Sequence, residues 1–149
     1  MPERRGEGER AAQEPWALAL WALTLLFFLR VLGQALVAFA GVTFLPPMEA
    51  WYSGLVPYPV LLPAQVAILA LMLAVNLAIS RGRGYAAEPR AWLGRPLRWF
   101  AVVYAAAMVL RLLLTTGGRI PTAFHFVLAA YLLVLSDYQM RLARRAGRA

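Results

Sequence analysis

The chain has 149 residues, 62% of them hydrophobic and 15% charged, and all fifteen basic residues are arginine, giving a formal net charge of +8. A soluble domain of this length could not cover so much apolar surface, so the composition points to a membrane protein. The absence of cysteine excludes disulfides, thiol redox chemistry and cysteine-ligated zinc or iron–sulfur sites, and the arginines sit at the ends of apolar runs, which argues against nucleic acid.

A hydrocarbon core of ~30 Å takes about 20 apolar residues in helical form, and four runs qualify, near residues 16–44, 61–80, 97–114 and 121–140. Residues 1–14, with four glutamates and Arg4, Arg5 and Arg10, are too polar to join the first run and are predicted to form a flexible cytoplasmic end. A signal peptide is the competing reading of the first run, because Ala38, Phe39 and Ala40 have the small-x-small form of a cleavage site. The length of the run, its interruption at Arg30 and the acidic residues before it favour a permanent helix. Helical spacing puts Arg30, Gly33, Gln34 and Gly41 on one face, which is predicted to turn away from lipid. The stretch LRVLG, residues 29–33, resembles DoxX-type membrane proteins; the likeness covers one helix and implies no residue role or activity.

The connection to the second run, FLPPMEAWYSGLVPYPVLLP over residues 44–63, carries one charge, Glu49, among aromatics and five prolines. A loop this apolar is predicted to lie in the outer membrane interface and to roof the polar groups beneath it. The second run has Gln65 near its start, Ala70, Ala74 and Ala78 at helix-packing spacing, and Asn76, predicted to bond across helices to Tyr104 or Ser136. The RGRG stretch at 81–84 that follows lacks the spacing and flanking strand of a phosphate loop. The third run offers Ala101 and Ala105 for packing and holds Arg111 four residues before a turn at 115–118. In the fourth, His125 lies near the start and Asp137 precedes Arg141 by four residues, the order that favours an ion pair along a helix. Residues 142–149 are predicted to be a second flexible cytoplasmic end.

Arginine near the spans sets orientation. The N-terminal arm, the second loop and the tail together hold twelve arginines, against Arg119 alone on the other side, so both termini are predicted to face the cytoplasm. Trp16, Trp21, Trp92 and Trp99 fall at the predicted inner boundary and Trp51 at the outer one, the headgroup level that tryptophan prefers. The expected fold is all-α: one domain over 1–149, an integral-membrane four-helix up-down bundle, N-in and C-in. Arginine use without lysine points to a GC-rich bacterial genome and hence to a bacterial inner membrane.

Charged residues inside a bilayer cost roughly 2.5 to 3.5 kcal/mol on insertion scales and are presumptively functional. Arg30 lies fourteen residues, or ~21 Å, above Trp16, and Arg111 the same height above Leu97. Both belong to the outer half, where Gln34, Gln65 and His125 also fall, beneath Glu49, Trp51, Tyr52 and Tyr58 of the loop. These nine residues form the candidate site, with Glu49 as counterion to the two arginines and the remaining positive charge free to attract an anion. The competing reading of each arginine is snorkelling to the surface.

Three functions fit this set. The first is a binding or accessory protein that takes an anionic lipid headgroup, a small carboxylate ligand or a partner's acidic residue. The second is an enzyme acting on a lipid or quinone, with His125 and Glu49 as proton-transfer groups. The third is a scaffold subunit whose Arg30 and Arg111 pair with acids of another membrane protein. One histidine excludes bis-histidine haem, Asp137 as the sole intramembrane acid excludes an aspartyl protease pair, and no cofactor or metal is expected.

Overall fold

The computed structural model describes residues 3–51, 57–114 and 119–147. Five helices follow in order: α1 (Glu3–Ala40), α2 (Met48–Trp51), α3 (Tyr58–Arg81), α4 (Ala91–Leu114) and α5 (Arg119–Ala146), with no strand among the described residues. Four stretches, Pro15–Ala40, Tyr58–Arg81, Trp92–Leu114 and Ile120–Ala146, are long and apolar enough to cross a membrane.

The helix ends differ from the predicted runs for local reasons. Apolar sequence continues to Phe44, yet α1 stops at Ala40 because Gly41 takes a φ of +59°, the left-handed conformation that closes helices, and Pro46 and Pro47 follow. α3 starts at Tyr58 rather than 61, since Pro57 and Pro59 occupy positions around its first turn where a missing N–H breaks no bond. α4 starts at Ala91 rather than 97 and runs through Pro96, and α5 continues past 140 to Ala146. The backbone is therefore helical over residues 3–14 and 142–146, both expected to be loose ends.

α1 packs against both α3 and α5, α5 packs against α4, and the short α2 lies over α1 and α5. Among the described residues, the backbones of α3 and α4 do not approach each other closely. The core is a small cluster of Leu20, Phe27, Val31, Met72, Ile79, Tyr131 and Tyr138, while Leu25, Phe28, Leu29, Val103, Leu110 and many other large apolar side chains face outward. Such an outer surface suits hydrocarbon and not water.

Polar residues decide how α3 is turned. Gln65, Met72, Asn76 and Ile79 form its buried face, because an amide facing lipid would go unsatisfied. That rotation points Ala70 and Ala74 outward, so the alanine stripe is not a packing surface; on α4, by contrast, Ala101 is buried. Asn76 also chooses other partners than expected: it donates to Thr24 Oγ1 (2.9 Å) and accepts from the Tyr131 hydroxyl (2.9 Å), joining α1, α3 and α5. Asp137 pairs with Arg98 of α4 (3.1 Å) instead of Arg141, whose guanidinium lies 4.8 Å from the Trp16 ring. Trp21 bonds Ser80, and Ser136 bonds the Gly94 carbonyl. We call this half, which holds the α3–α4 loop and the tail of α5, the terminal end, and the opposite half the α2 end.

Candidate functional site

At the α2 end, α1 turns Phe27, Arg30, Val31 and Gln34 inward, a single stripe at helical spacing. Arg30 is only 6% exposed and Gln34 fully buried. A snorkelling arginine would carry its guanidinium out to the surface, so this burial favours the inward reading. Arg30 Nη1 donates a long bond to Gln34 Oε1 (3.4 Å), and Gln65 Nε2, from the second turn of α3, donates to the same oxygen (3.2 Å). The guanidinium carbon also lies 5.6 Å from the centre of the Phe124 ring, within cation–π range.

These contacts leave polar atoms over. Arg30 Nε, Gln34 Nε2, Gln65 Oε1 and the Tyr58 hydroxyl are buried without a hydrogen-bond partner. Buried polar groups in folded proteins are normally paired, so a cluster of exceptions makes this the candidate site. Arg30 and Gln65 line a cavity of about 120 Å³ together with Phe124, His125 and Trp51.

Trp51 covers this cavity from the α2 side. Its indole N–H donates to the Pro46 carbonyl (2.9 Å), and its ring rests on Gly33, where an added Cβ would come within 3.0 Å of Cη2. Gly33 is thus the residue that lets the roof sit down on α1. Glu49 does not take part: it is exposed and makes no hydrogen bond or ion pair with any described residue. Two residues apart on a helical turn point in nearly opposite directions, so seating Trp51 inward sends Glu49 outward. The expected counterion is therefore absent, and no carboxylate among the described residues pairs with Arg30.

The other predicted residues divide. His125 lines the cavity, and its Nδ1 bonds the Tyr104 hydroxyl of α4, the two rings meeting edge to face. Arg111 is half-buried and close enough to act on His125 electrostatically, as Arg30 does, but it does not line the cavity. Tyr58 is half-buried, near Arg30, with its ring against Phe39. Tyr52 lies outside the described residues. Sequence reasoning missed Phe124 and Tyr104. Phe124 carried no signal beyond its place beside His125, and Tyr104 was legible only as an intramembrane hydroxyl on the neighbouring helix.

Fold and site together define an all-helical protein with four membrane-length helices and a buried arginine at one end. Comparison with protein-family models, curated proteins and solved structures finds no match to this chain. The functional reading therefore rests on the geometry.

Proposed function

We propose that this chain is a multi-pass protein of a bacterial inner membrane, an up-down four-helix bundle with both termini cytoplasmic, that binds an acidic group at its α2 end in the outer leaflet and acts as a binding or accessory protein. The arginine distribution supports the orientation. One observation carries the binding reading: Arg30 is almost wholly buried, meets no described carboxylate and keeps its Nε–H unpartnered beside a cavity. A buried charge without a partner is strongly destabilising, and an anionic headgroup, a carboxylate or a partner's acid would relieve it.

Native mass spectrometry after extraction in mild detergent tests this. A retained anionic lipid or small acid, lost in Arg30→Leu, is the expected result. A co-purifying protein in fixed ratio, lost in the same variant, would move the reading to a scaffold subunit. Identical spectra for the two proteins would remove the pocket.

The Tyr104–His125 bond favours a second reading, an enzyme acting on a lipid or quinone. This pair borders the cavity and could pass a proton to a bound molecule, whereas Glu49 faces away and drops out of that role. Turnover of a lipid or quinone substrate that survives His125→Ala would dismiss it.

A further inference from the structure

The polar cavity shares part of its wall with an apolar one. Ile68 and Leu128 border both that cavity and a second one of about 440 Å³, which lies between α3 and α4. The second space lies where the backbones of α3 and α4 stand apart, and α5 forms its floor through Leu128, Tyr131 and Leu135. Its walls are almost entirely hydrocarbon and aromatic side chains. Tyr104 links the two: it borders the groove and bonds His125, which borders the polar cavity. Along α4 the groove extends from Leu93 to Tyr104, eleven residues or ~16 Å, about half the ~30 Å hydrocarbon thickness.

We propose that the two cavities are one binding site for a single-chain anionic amphiphile taken from the membrane, with its acidic head at Arg30 and Gln65 and its hydrocarbon tail in the α3–α4 groove. The inference rests on the anion-pocket reading above and names the ligand class for it. Charge complementarity fixes the head, since a buried guanidinium with no described carboxylate partner selects an acid over an alcohol or amine. Adjacency fixes the tail: Ile68 and Leu128 stand in the walls of both spaces, so the groove is the apolar space that adjoins a group held at Arg30. The route favours lipid over water as the source. Trp51 covers the cavity on the α2 side, while the groove opens sideways, with Leu71 and Phe100 exposed along it.

Radiolabelled palmitate, hexadecanol and acetate, titrated separately against the purified full-length chain in non-ionic detergent, test the proposal. Palmitate should bind once per chain, with hexadecanol and acetate each at least about tenfold weaker, the loss that one charge-assisted hydrogen bond or a few buried methylenes represents. Arg30→Leu should bring palmitate down to the level of hexadecanol. Leu71→Trp fills the groove from a position that is 66% exposed, so the fold is not at risk; it should weaken palmitate about tenfold and leave acetate unchanged. Unfolding temperatures near that of the parent chain verify both variants. Acetate binding as tightly as palmitate, and lost in Arg30→Leu, would overturn the amphiphile and keep the anion pocket. Hexadecanol binding as tightly as palmitate, or no binding by any probe, would overturn both.

Discussion

The two ends of the molecule spend their polar groups differently. At the terminal end, Thr24, Asn76 and Tyr131 bond one another across three helices. Gln139 uses both atoms of its amide, accepting from the Arg90 N–H and donating to the Ala86 carbonyl. Asp137 and Arg98 are paired, and the Tyr138 hydroxyl is the exception, buried without a partner. At the α2 end, Arg30, Gln34, Gln65 and Tyr58 each leave a buried polar atom unused, and Arg30 and Gln65 line a cavity. Both ends contain buried amides at helix–helix contacts, so composition does not separate them. Completeness of pairing does: the satisfied network fixes helix rotation, and the unsatisfied one is where the proposed ligand would bind.

This contrast predicts opposite responses to substitution. The largest effect belongs to Arg30→Leu, which should lose about 1.5 to 3 kcal/mol of ligand binding, the worth of a hydrogen bond to a charged group, in a titration with an anionic amphiphile. Its thermal stability without ligand should stay level or rise, because a buried charge lacking a partner is removed. Asn76→Leu should reverse that pattern. It takes away the shorter acceptor of the Tyr131 hydroxyl, leaving that group only the Met72 carbonyl at 3.3 Å, and costs about 1 kcal/mol in a detergent unfolding titration, with ligand affinity unchanged. If Asn76→Leu proved harmless to stability and Arg30→Leu costly, the assignment of lock and site to the two ends would have to be exchanged.

Smaller effects sharpen the boundary of the α2 end. Gly33→Ala places a methyl 3.0 Å from Trp51 Cη2, so the roof must lift by a few tenths of an ångström, at a cost of about 1 kcal/mol in stability. A shift in tryptophan emission should accompany it. Glu49→Gln should change neither stability nor binding by more than about 0.5 kcal/mol, as for any exposed side chain without a partner. A large loss of binding in Glu49→Gln would restore the carboxylate to the site.

Length and apolar character were enough to find four membrane-length helices, because crossing hydrocarbon demands both at once. Three of the four residues of the predicted inward stripe, Arg30, Gly33 and Gln34, were also legible, since they lie on one helix and spacing alone relates them, whereas Gly41 falls beyond the end of α1 and is exposed. Relations between helices were not. Asn76 was assigned the wrong partners because a choice among Tyr104, Ser136, Thr24 and Tyr131 depends on helix rotation and on which helices are neighbours. Ala70 and Ala74 looked like a packing stripe until Gln65 and Asn76 claimed the opposite face. Glu49 was placed as a counterion from loop composition, and four residues of helix were enough to turn it away. The end of α1 was set by the backbone of Gly41, which an apolar run conceals.

In the proposed complex the Arg30 guanidinium faces inward and meets the acidic head of a membrane amphiphile. Its Nε–H resonance reports on this directly in ¹⁵N-labelled protein, assigned by its disappearance in Arg30→Leu. Palmitate should move this resonance, and hexadecanol should leave it in place. A resonance indifferent to palmitate, at concentrations where palmitate is bound, would contradict the proposed complex.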